Sequence, residues 1–120
     1  MPEIQQSEFA PDVMVVAVSG QIVLGRECQK VEWAIEALIR EGKRKVILDL
    51  ANLTHVDSTG VGIIVTACGK MAAAEGELRL AALQPRIAEV LRIAKLDRIL
   101  AVFPTVDAAA ETFAADHPHA

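Results

Sequence analysis

The sequence predicts a single α/β domain: a mixed β-sheet of four to five strands flanked by about four helices. Two patterns and the size of the chain carry that expectation. Short apolar segments bounded by Gly, Asn, Asp or Pro alternate with longer segments in which apolar residues recur at helical spacing. At 120 residues, 52% of them hydrophobic, the chain has the length of one domain and enough apolar surface for one core. No repeat, linker or shift of composition divides it. Residues 1–120 therefore read as one domain, with its core over about 13–113 and a polar tail over 114–120.

In chain order, "EIQQSEF" (3–9) is a weak first strand. "VMVVAVS" (13–19), "KVILDL" (45–50) and "ELRLAAL" (77–83) have the continuous apolar character of buried strands, and "ILAVF" (99–103) is a final one. Between them run helical stripes. Cys28, Val31, Ile35, Leu38 and Ile39 form the first, stopped by Gly42; Val61, Ile64, Val65, Cys68 and Ala72 form the second, with Gly76 as its stop and Leu53 to Val56 as the end of the preceding loop. Ile87, Val90, Leu91 and Ala94 form a third, opened by Pro85 at a first-turn position, and Thr105 caps a short fourth containing Ala109 and Phe113. A sheet this small, with four helices, is expected to be covered on one face and partly on the other. Trp33 lies opposite the apolar stripe of its own helix, which leaves two readings open: a contact at a homodimer or partner surface, or lateral packing under a neighbouring helix.

Composition excludes several classes of function. A formal net charge of −4, a pI near 5.3 and no basic run give no footprint for nucleic acid. No apolar stretch reaches the length of a membrane span, and "MPEIQQSEF" is not a signal peptide, so the expected place is the cytoplasm, without direct insertion into a membrane. Cys28 and Cys68 are too far apart in sequence for a redox or zinc pair and sit on helical stripes, as small core hydrophobes do. His117 and His119 belong to the tail, and neither a metal nor a cofactor is expected.

Two stretches resemble chemistry. "GQIVLGRE" (20–27) has the glycine spacing of a phosphate-binding loop, but Arg26 replaces the gripping lysine and Glu27 replaces the Mg²⁺-binding hydroxyl, so it reads as a plain strand-to-helix connection. "VDSTGVG" (56–62) is more informative. Asp57, Ser58, Thr59 and Gly60 must stand at the N-terminus of the second helix, where unpaired N–H groups and the positive end of the dipole favour negative charge. Either Asp57 or Ser58 simply caps the helix, or the Ser58 hydroxyl accepts a phosphoryl group that the helix start stabilises. The nearest histidine in sequence to Ser58 is His55, and without a nucleophile elbow an enzyme is not expected.

At these residues the chain resembles the STAS-domain anti-sigma factor antagonists. The resemblance rests on "VSGQI", on "KVILDLANLTHVDSTGVGIIV", on "GELRLAAL" and on "VLRIAKLDRILAVFPTVDAAAETF". It implies a STAS-like fold and a regulatory binding module. Members of that family bind an anti-sigma factor, often a serine kinase, and so free a sigma factor. The kinase inactivates them by phosphorylating the serine that Ser58 matches, and phosphatases reverse the step. A primary hydroxyl is also less crowded than that of Thr59. The resemblance further implies that Asp57 precedes the phosphoacceptor, that Asp49 supports it from the neighbouring strand, and that Gly60 and Gly62 keep the helix start slim for an approaching partner. The outer face of that helix, with Ile63 and Thr66 beside Gly62, Gly69 and Ala73, bears little charge and suits close docking. STAS domains also serve as subunits bound to ABC-transporter ATPases and as stressosome-like scaffolds, two alternatives that the sequence leaves open.

Overall fold

The computed structural model describes residues 3–25 and 28–115. The expected tail histidines and the Arg26–Glu27 pair of the glycine-bounded connection lie outside them. The longest strand, β2 (Val13–Ile22), organises the sheet. Strand β1 (Glu3–Ala10) pairs with it antiparallel along one edge, with a bulge between Glu8 and Ala10. On its other side β2 carries two partners in succession, both parallel: β3 (Lys45–Asp49) against Met14 to Ala17, then β4 (Leu53–Val56) against Gly20 to Ile22. Strands β5 (Glu77–Ala81) and β6 (Val102–Phe103) extend the sheet beyond β3, giving the order β1-β2-β3-β5-β6.

The segment read as a loop end, Leu53 to Val56, is thus a sixth strand. It exists because β2 runs past the end of β3; Gly20 N–H donates to Asn52 O at 3.0 Å and the pairing resumes after the turn. The final strand is conversely shorter than "ILAVF", since Ile99 and Leu100 turn back on Leu96 O.

Helices α1 (Lys30–Arg40), α2 (Ser58–Ala73) and α3 (Pro85–Ile93) cover one face of the sheet, burying Val31, Ile35, Leu38, Ile64, Ile87 and Leu91 against Val16, Val46, Leu48 and Leu80. Helix α4 (Val106–Ala115) partly covers the other face, setting Ala109, Ala110 and Phe113 on Val13, Val15 and Ile47. Its first turn is capped as expected, with Thr105 Oγ1 accepting from Ala108 N–H at 3.0 Å. Lys70 of α2 forms ion pairs with Glu32 and Glu36 of α1, tying the two helices together. Cys28 is buried and Cys68 half-buried, where burial pushes the Cys68 thiol up to about 11.

One feature of the α4 face was not legible as such. Arg79, in the middle of β5, is 3% exposed; its guanidinium donates to Ala109 O at 2.8 Å and to Thr112 Oγ1, pairs with Glu77, and lies 3.7 Å from the centre of the Phe113 ring. It fastens α4 to the sheet through charge-assisted hydrogen bonds and ring contact. Arg79→Met keeps the apolar stem but removes the donors. It is expected to cost about 3 kcal/mol, read as a lower urea midpoint with hydrogen exchange rising first in α4. An unchanged midpoint would show that α4 holds without this clasp.

Candidate functional site

Helix α2 starts where β4 ends, at the carboxyl end of the parallel strands. Asp57 is its N-cap: the backbone there is extended, and Oδ1 accepts from Gly60 N–H at 2.9 Å. The second oxygen, Oδ2, accepts from the N–H of Leu24 in the β2–α1 connection, also at 2.9 Å. One carboxylate thereby closes the helix start and holds the neighbouring loop. These two N–H groups, Leu24 first, keep the Asp57 carboxyl below the ordinary carboxylate range. A carboxyl depressed by folding contributes stability that is present above its unfolded value near 3.8 and is lost as pH falls through the lower folded value. At neutral pH the group is an anion.

Capping therefore falls to Asp57, while Ser58 stands exposed at the first position of α2. From there Ser58, Gly62, Thr66, Gly69 and Ala73 run along the solvent side of the helix at spacings of three and four, all exposed. Thr59 is half-buried.

Three expected members of the site, Ile63, Gly60 and Asp49, do not line the exposed stripe of Ser58. Ile63 is buried in the core with Ile64, because the inward face of α2 is formed by Gly60, Ile63, Ile64, Ala67 and Met71; of the expected stripe Val61, Ile64, Val65, Cys68 and Ala72, Ile64 is fully buried, Val61 and Cys68 pack partly against the core, and Ala72 is exposed. Gly60 is buried too. A Cβ placed on it would lie 1.9 Å from Ile22 O, so its missing side chain serves the seam between α2 and β2, not an approaching partner. Gly62, by contrast, has nothing within 4 Å of such a Cβ. Asp49 alternates with Leu48, whose side chain is in the α2 core, and so points to the opposite face of the sheet. There it lines a hollow of about 160 Å³ with Gln5, Ser19 and Asn52, and accepts from Ala51 N–H at 3.1 Å.

His55 is not aimed at Ser58. The Thr54 hydroxyl donates to Gly20 O at 2.9 Å, so its oxygen is left to accept from His55 Nδ1–H at 3.0 Å; Nε2 then accepts from Arg86 at 2.9 Å. Both ring nitrogens of His55 are thereby engaged with other partners. Two exposed apolar groups frame this end of the molecule and the first helix: Leu24, 76% exposed on the loop held by Asp57, and Trp33, 54% exposed on α1. The second settles the packing of Trp33 in favour of exposure. Leu24 was missed in the sequence because only the fold brings it to Asp57.

The family model for the STAS domain matches residues 5–109. BtrV of Bordetella bronchiseptica, named for an anti-sigma factor antagonist role, is 29% identical over 102 residues, covering 85% of this chain and 88% of that protein. Among solved structures, an anti-sigma factor antagonist from Mycobacterium paratuberculosis superposes with a TM-score of 0.79 at 22% identity, over 93% of each chain. The Bacillus cell fate determinant SpoIIAA in its phosphorylated form gives a TM-score of 0.70 at 18% identity, over 92% of this chain and 99% of that one. These structures share the fold.

Proposed function

Because the chain belongs to the STAS-domain family, we propose that it is an anti-sigma factor antagonist: in its unphosphorylated form it binds an anti-sigma factor that is itself a serine kinase, frees a sigma factor, and is switched off when Ser58 is phosphorylated. It acts as a binding module in the cytoplasm, and a phosphatase resets it. The observation that carries this reading is the division of labour at the helix start. Asp57 supplies the cap, so the Ser58 hydroxyl is exposed and available to a kinase while the adjoining N–H groups and helix dipole suit a phosphate. The names of the relatives, and a phosphorylated form of a protein with the same fold, support it.

The docking surface in this reading is the stripe of Ser58, Gly62 and Thr66, small enough for close approach, with Leu24 as its apolar anchor. Incubation with the cognate kinase and ATP, followed by phosphopeptide mapping, tests the acceptor. Phosphate is expected on Ser58 and absent from Ser58→Ala; modification of Ser58→Ala at the wild-type level would move the site to Thr59 or beyond.

Asp57 and Leu24 give a separate test. Asn is as good a cap as Asp, but an amide turned toward Leu24 N–H offers a donor to a donor unless it gives up Gly60. Asp57→Asn is therefore expected to shift the Leu24 amide resonance and speed its exchange while the melting temperature moves by only a few degrees. Leu24→Ser should leave folding unchanged and weaken partner binding about tenfold or more. Undiminished binding by Leu24→Ser would remove Leu24 from the surface.

A further inference from the structure

The sheet ends in two open edges of opposite character. At one, among the described residues, β1 pairs only with β2 and is exposed along nearly its whole length. Its bulge leaves Phe9 without a partner in the register between Glu8 and Ala10, and Phe9 is 47% exposed. The exposed charges of this strand are Glu3 and Glu8, with no lysine or arginine in residues 3–12. At the other edge, again among the described residues, β6 pairs only with β5, and Val102 is 40% exposed. Beside it the α3–β6 corner exposes Ile93 at 67% and Ile99 at 70%. Around one hollow of about 250 Å³ stand Arg92, Lys95, Asp97 and Arg98; Arg92 is ion-paired with Glu89, so the excess positive charge of the corner rests on Lys95 and Arg98 set against Asp97. The corner is thus apolar with a small excess of positive charge, in a chain of net charge −4. A helix C-terminus accounts for a cation such as Arg92, but not for two protruding isoleucines.

We infer that these two edges are complementary, and that copies of this chain associate head to tail, the acidic β1 edge with Phe9 of one copy meeting the basic α3–β6 corner with Ile93 and Ile99 of the next. The occupant follows from charge. The rest of this protein is more acidic than the whole, so a second copy offers what the corner lacks, whereas an anionic lipid surface would be repelled by the net charge. Because the two patches differ and lie at opposite edges, the contact is heterologous and does not close on itself as a two-fold dimer would.

Sedimentation of the full chain across a concentration series tests this. At about 50 mM salt the average mass should rise past that of a dimer without a plateau, and it should return to the monomer at about 0.5 M salt, where surface charges are screened. Lys95→Glu/Arg98→Glu and Glu3→Lys/Glu8→Lys should each raise the concentration needed for association about tenfold or more. Mixing the two variants should restore it, because each then presents the other with an opposite edge. Phe9→Ser and Ile99→Ser, which leave the charge unaltered, should weaken it as well. A chain that stays monomeric at low salt, a dimer that plateaus and ignores these substitutions, or charge-reversed variants that fail to recover on mixing would each overturn the inference.

Discussion

Gly60→Ala is expected to lower the melting temperature of the chain by roughly 10–20 °C, while Gly62→Ala, two residues along the same helix, leaves its stability intact or slightly raised. A Cβ on Gly60 would stand 1.9 Å from Ile22 O and 2.5 Å from Val56 Cγ2. Neither neighbour can retreat cheaply. Ile22 is fully buried at the end of β2 and is the register partner of Val56 in β4, so moving either opens the β2–β4 pairing. Moving the helix instead pulls Gly60 N–H from Asp57 and undoes the cap. Overpacking of this kind against backbone is expected to cost about 4 kcal/mol, a fall in melting temperature of roughly 10–20 °C. At Gly62 an added methyl meets nothing within 4 Å and improves helix propensity, so Gly62→Ala should stabilise by up to about 1 kcal/mol. Gly62→Leu should also fold, yet lose its partner, because the added bulk rises from the middle of the docking stripe. Urea melts of these variants beside a binding titration separate the two glycines. Equal stabilities for Gly60→Ala and Gly62→Ala would mean that the α2–β2 seam is looser than described.

Phosphorylation of Ser58 is expected to weaken partner binding more than a hundredfold without altering the fold. The phosphate adds about −1.5 to −2 charges next to Asp57, whose carboxylate is already fixed as an anion by Leu24 and Gly60. In water the repulsion is modest. Once a partner excludes solvent from the stripe of Ser58, Gly62 and Thr66, an unpaired dianion must be desolvated, and a penalty of only about 3 kcal/mol exceeds a hundredfold in affinity. The helix dipole stabilises the same charge in the free protein and widens the difference. Ser58→Ala should bind constitutively. Ser58→Asp carries one charge instead of nearly two and should fall between the unmodified and phosphorylated forms. Circular dichroism of both forms should superimpose; a phosphoprotein that had lost helix signal would replace charge repulsion with unfolding as the mechanism.

What could be read in the sequence, and what could not, follows from how local each signal is. Strands β2, β3 and β5 are continuous apolar runs, and α1, α3 and α4 carry local marks in Gly42, Pro85 and Thr105, so they were legible. Strand β4 was not. Four residues, "LTHV", become a strand only because β2 is long enough to accept a second partner after β3 ends. The inward face of α2 was legible only in part, at Ile64 and at the flanking Val61 and Cys68, for a different reason. Val61, Ile63, Ile64, Val65, Ala67 and Met71 leave the helix apolar on nearly every side, so spacing alone does not choose between them. That ambiguity carried Ile63 outward and hid the packing role of Gly60. At the candidate site, the position of Asp57 and Ser58 at a helix start was legible from the polar cluster before an apolar run. The tie to Leu24 spans 33 residues, and the separation of Asp49 from Ser58 depends on which face of the sheet β3 presents; neither has a local signature.

The central claim is that an exposed Ser58, beside a cap supplied by Asp57, is the switch of an anti-sigma factor antagonist. It is tested most directly by titrating the cognate anti-sigma factor with stoichiometrically phosphorylated and unmodified protein under the same salt and nucleotide conditions. The expected result is tight binding of the unmodified chain, a loss of more than a hundredfold on phosphorylation, and full recovery after phosphatase treatment. Equal affinity of the two forms for that partner would contradict it.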